Sequence, residues 1–134
     1  MALRRTGALT GLHCCGEAQW ERILPLGFNL LSIDTALSLP SLLRRRDELA
    51  AFARGGGRLA LGAVPTGSQA LPDPGELADA IGRVLSDGGH LALLRTALLT
   101  PACGLATRTV PESDAVLEAL PKLQSALARR AALA

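Results

Sequence analysis

The stretch Gly11-Leu12-His13-Cys14-Cys15-Gly16 puts an imidazole and a thiol two residues apart. Side chains alternate across a β-strand with period two, so on a strand His13 and Cys15 project from one face and can point at a single ion. Cys14 then faces the other way and reads as a small apolar filler. A further thiol, Cys103, stands in Thr100-Pro101-Ala102-Cys103-Gly104-Leu105 and becomes a thiolate if it joins a metal. Asp34 closes an apolar run and offers a carboxylate, either as a third or fourth ligand or as a group facing substrate. It also precedes a helical pattern, where aspartate is a favoured N-cap. One nitrogen, two sulfurs and one oxygen or open position make a tetrahedral zinc set. The spacing is long-range and matches no zinc finger. On spacing alone, a core histidine with buried thiols explains the same residues.

Elements that would carry these side chains can be read from hydrophobic periodicity. Apolar runs at 8–15, 28–34 (FNLLSID), 58–64 (RLALGAV) and 97–103 (ALLTPAC) suit buried strands. Between them, 17–24 can make a short helix before the Pro25-Leu26-Gly27 turn. Residues 36–54 show helical leucine spacing and stop at Gly55-Gly56-Gly57. Asp73 is a plausible N-cap, with Pro74 at the first helical position, for a helix to about residue 86. Residues 90–95 extend that helix or begin the next connection. A last amphipathic helix is expected from residue 112 to the C-terminus, interrupted near Pro121. Strands alternating with helices mean parallel β/α units, and continuous apolar strands agree, being covered on both faces. Four units are visible, whereas a closed barrel needs eight. The expected fold is α/β, either a four-stranded open sheet or half of a (β/α) barrel, in one domain over residues 1–134.

Composition narrows the function. Hydrophobic residues make up 49%, enough for a sizeable core, while aromatics at 2% offer little for stacking nucleic-acid bases. Net charge is only +2, and the densest basic run, Arg44-Arg45-Arg46, is followed at once by Asp47 and Glu48. That is a solvated helix face rather than a phosphate footprint. Three cysteines with one adjacent pair are a poor disulfide framework, so a reducing cytoplasm is expected. Residues 1–5 are basic, but no uninterrupted apolar segment follows before the polar residues at 13–17, so no signal peptide is expected. No apolar run approaches a membrane span. No nucleic-acid or membrane partner is therefore expected.

The stretches HCCGEAQW, SIDTA, LGAVPT and LLTPACGLATR resemble the second half of the cobalamin-independent methionine synthase family, especially its short single-barrel members. PACGLATR is the most specific part, and the likeness spans nearly the whole chain. The resemblance implies zinc held by His13 and Cys15 of a His-x-Cys motif, by Asp34 at the end of the next strand, and by Cys103 of a Cys-Gly-Leu-x-Thr-Arg motif ending at Arg108. It implies half of a TIM-type barrel that transfers methyl groups to a thiol. The acceptor would be homocysteine or another small thiol and the donor a 5-methyltetrahydrofolate. Arg108 is expected to hold a loop or ion pair, and His90 to be a surface or helix-end residue. The family usually has glutamate in place of Asp34, and its first four β/α units have no counterpart here. The chain is therefore expected to be incomplete by itself and to have its open strand edges covered by a second copy or a complementary half-barrel. Two alternatives stay open: a corrinoid-dependent thiol methyltransferase of the uroporphyrinogen decarboxylase type, and a non-catalytic zinc-binding half-barrel.

Overall fold

The computed structural model describes residues 6–67 and 70–132; the basic opening at residues 1–5 lies outside that range. Four strands, β1 (Gly11–Cys14), β2 (Leu30–Asp34), β3 (Arg58–Val64) and β4 (Leu98–Pro101), form one parallel sheet in the order β1-β2-β3-β4. The intervening helices are α1 (Trp20–Ile23), α2 (Thr35–Leu43), α3 (Arg46–Arg54) and α4 (Pro74–Asp87), with α5 (Val110–Ala131) after β4. The four-unit α/β reading therefore holds. Among the described residues, no further strand pairs with the outer edges of β1 and β4. No described helix is long and apolar enough to cross a membrane.

The two sheet faces differ because side chains alternate. Leu31 and Ile33 of β2 and Leu59 and Leu61 of β3 join one core with Leu39 and Leu42 of α2, Ile81 and Leu85 of α4, and Val116 and Leu123 of α5. Ile33, Leu61 and Val116 are fully inaccessible. On the first two strands the opposite face is less covered: His13 is exposed, and Ser32 and Asp34 are half-buried. The central strand β3 is buried on both faces, apart from Arg58 at its start. That is why it reads as an unbroken apolar run rather than an alternating one.

Several boundaries differ from the sequence reading. The helix expected over 36–54 is two helices, parted at Arg44 and Arg45. A single rod of that length would run roughly 28 Å, well past the five-residue strand β2 that it follows. Pro40 lies inside α2 and removes one helical hydrogen bond. Arg45, at φ −93° and ψ 59°, breaks the helix and pairs with Glu21 at 3.1 Å. Conversely, α5 runs unbroken through Pro121. Pro121 is exposed, so solvent can meet the carbonyl that its missing N–H releases. Strand β4 and helix α1 are shorter than expected, and 91–95 form a 3-10 turn.

Helix α5 begins in a capping box: Glu112 accepts from the Thr109 amide at 2.7 Å and the Thr109 hydroxyl at 2.8 Å. Those hydrogen bonds, the amide's first, hold the Glu112 carboxyl below its usual value. A lowered folded-state pKa contributes stability above the ordinary glutamate value, which is lost as pH falls through the lowered one. Urea unfolding measured down through that acid range should therefore show a pH-dependent component that disappears in Glu112→Gln. In the core, Leu61→Ala should cost about 2–5 kcal/mol in the same assay at neutral pH, because the fully enclosed site cannot collapse around the missing atoms.

Candidate metal centre

The ligand atoms of His13, Cys15 and Cys103 all lie within 4.8 Å of one another, and all three residues are exposed. His13 sits on β1, whereas Cys15 falls one residue past it, in the bend that follows. The pair thus converges through the strand end rather than through strict alternation.

Two polar contacts fix the segment after β1 against α2. The Ser38 hydroxyl donates to the Gly16 carbonyl at 2.9 Å, and the indole N–H of Trp20, only 2% exposed, donates to Ser41 Oγ at 2.8 Å. Cys15 is thereby held at the strand end by a buried anchor five residues away.

Cys103 has farther to come. It follows β4, at the opposite edge of the sheet from β1. Three strand spacings of ~4.8 Å would separate those strands by roughly 14 Å in a flat sheet. The chain after β4 closes the gap by lying close over the end of β3. The Ala102 amide donates to the Val64 carbonyl at 2.8 Å, and Ala102 is buried. Gly62 makes room for this approach. A Cβ there would stand 2.6 Å from the Ile33 carbonyl oxygen and 2.8 Å from Ala102 Cα, with no flexible side-chain end to move away. The far end of the segment is tied by Arg108, whose guanidinium donates to the Thr66 carbonyl at 3.3 Å and to the Gly67 carbonyl.

On the neighbouring strand, Ser32 pairs in register with His13, and its Oγ lies 2.9 Å from His13 Nδ1. Sequence reading missed Ser32 and Gly62. Ser32 stands two residues before Asp34, on the same strand face, but its alignment with His13 depends on a register that only strand pairing reveals.

Asp34 stands outside the three-residue group. Its Oδ1 accepts from the amides of Ala36 at 2.9 Å and Leu37 at 3.1 Å, capping α2. It also lines an apolar cavity of about 490 Å³ between α2 and α4, together with Thr35, Leu39, Ile81 and Ala102. Cys14 is half-buried against the core. Burial, and then the neighbouring Cys15, push its thiol pKa above the usual value, as suits an inert filler. His90 begins the 3-10 turn after α4, and its Nε2 is buried; it does not join the group.

One imidazole and two thiols suit zinc and other borderline-to-soft divalent ions and are a poor match for magnesium or calcium, which take oxygen ligands. Metal bonds of ~2.0–2.3 Å in a tetrahedron place ligand atoms roughly 3.3–3.8 Å apart. Small side-chain rotations from the observed spacing would reach that geometry. Three protein ligands leave one tetrahedral position for an outside group.

The chain matches no protein-family model, no curated protein and no solved structure. The likeness drawn from HCCGEAQW and PACGLATR therefore rests on those residues alone.

If Gly62 sets the position of Cys103, Gly62→Ala should weaken cobalt or zinc binding by on the order of tenfold, the factor that ~1.4 kcal/mol of displacement represents. Gly104→Ala, where a Cβ meets nothing within 4 Å, should bind metal as the parent does. Equal affinities for the two variants in a Co2+ absorption titration would remove Gly62 from this role.

Proposed function

We propose that the chain is a zinc protein that binds a small thiol and belongs to the chemistry of thiol methylation. The observation that carries this reading is the convergence of His13, Cys15 and Cys103, from the first and last β/α units, around one point at the C-terminal ends of the strands. Parallel α/β folds place their chemistry at that end. The motifs around these residues support homocysteine as acceptor and a methylated tetrahydrofolate as donor.

His13, Cys15 and Cys103 would hold the ion, with the fourth position left to substrate sulfur. Bound there, zinc would supply Lewis acidity that keeps a substrate thiol as thiolate near neutral pH. The chain's own contribution is positional. The contacts at Gly16, Trp20 and Ala102 hold the backbone beside both cysteines, so less ordering remains when the ion enters. Asp34 caps α2 in this scheme and is not required as a ligand. The barrel half that would complete a TIM-type fold, and with it a closed donor site, belongs to the same proposal.

A second reading, a zinc-binding half-barrel without turnover, is favoured by the exposure of all three ligands. Catalytic thiolates ordinarily need shielding from water.

Metal analysis of protein purified without chelators should give about one zinc per chain, lost in Cys103→Ser. With the zinc replaced by Co2+, added homocysteine should change the visible absorption as its sulfur enters the open position. Thioether formation from methyltetrahydrofolate would support the enzyme, and formation from methylcobalamin alone the corrinoid alternative. Thiol binding without transfer from either donor would leave the non-catalytic reading. Zinc retained in full by Cys103→Ser would remove that residue from the site and sink the proposal.

A further inference from the structure

The structure points to Ser32 as the positioning residue of this centre. We infer that its hydroxyl engages His13 Nδ1 and thereby commits Nε2 to the metal. The inference rests on the zinc reading above and assigns to the site a residue outside its ligand set.

Strand register supplies the geometry. β1 and β2 are parallel neighbours with His13 directly opposite Ser32, so the two side chains leave the same face of adjacent strands. Their contact, Nδ1 to Oγ at 2.9 Å, is an ordinary hydrogen-bond length. A neutral imidazole carries one N–H and one lone pair. With Nδ1–H donating to the serine oxygen, the free lone pair is on Nε2. The same nitrogen cannot hold both a hydroxyl at this distance and a metal ion. The ring is thereby held in one rotation, and once Nε2 takes the metal Nδ1 carries the proton and donates to Ser32 Oγ.

The anchor matters because the ligand is otherwise loosely held. His13 is exposed. Ser32 is half-buried on β2, and β2 is tied on both edges, to β1 and to β3. Its hydroxyl therefore stands on a rigid element, whereas the imidazole stands on the edge strand. Partners that hold the second nitrogen of a ligand histidine typically change metal affinity by 10–100-fold when removed.

The experiment is a zinc competition titration on the full chain, comparing wild type, Ser32→Ala, Ser32→Thr and Cys103→Ser, with thermal unfolding of each metal-free protein as a folding control. Ser32→Ala should bind zinc about 10–100-fold more weakly without a matching loss of metal-free stability. Ser32→Thr, which keeps the hydroxyl, should recover most of the affinity. Imidazole nitrogen shifts in the zinc-loaded wild type, read against His90→Gln to separate the two histidines, should show Nε2 bound to metal and Nδ1 protonated.

Zinc binding that is lost in Cys103→Ser yet unchanged in Ser32→Ala would overturn this inference and leave the zinc reading intact. So would Nδ1 found on the metal, or a Ser32→Thr variant as weak as Ser32→Ala. A wild-type chain that binds no zinc would overturn both.

Discussion

The molecule is organised around a problem of distance. Of its three candidate metal ligands, His13 lies on the first strand and Cys15 just past it, while Cys103 follows the last, at the other edge of a four-stranded sheet. A flat sheet would keep them too far apart to share an ion. They meet because the segment after β4 leaves its own edge and packs over the end of β3. That path is open only where β3 carries no side-chain carbon, at Gly62. The meeting of the three side chains thus depends on an atom that is missing from the middle of the sheet.

The rest of the fold supplies rigid ground for that meeting. β3, buried on both faces, is the axis on which the other strands and α2, α4 and α5 converge. Hydrogen bonds reach outward from this core to the bends that carry the ligands: Ser38 to Gly16, Trp20 to Ser41, Ala102 to Val64, Arg108 to Thr66. Each ties a polar loop to a buried element. A loop at a strand end can hold a ligand in place only when its backbone polar groups are satisfied in this way.

The adjacent cysteines show how one strand serves two environments. Cys14 turns toward the helices, where burial raises its pKa, while Cys15 lies exposed with His13 and Cys103. The same residue type is structural in one position and a candidate ligand in the next. The end of the strand sorts them: Cys14 is its last residue, and Cys15 opens the bend that follows.

Much of this was legible in the residues themselves. Apolar runs bounded by Gly, Pro or Asp marked the four strands. Asp73 and Pro74 marked the start of α4, and His13, Cys15 and Cys103 offered donor types that suit a metal, because hydrophobic period, capping chemistry and donor type are local properties. Three matters were decided only by tertiary structure. The split of 36–54 into α2 and α3 depends on how long a helix the sheet can carry, and the continuity of α5 depends on Pro121 facing solvent. The roles of Ser32 and Gly62 arise from contacts across strands: register aligns a serine with a histidine nineteen positions earlier, and close approach leaves no room for a side-chain carbon at one glycine. Such pairings between distant positions leave no periodic trace in a single chain, which is why sequence could nominate the ligands but not the residues that bring them together.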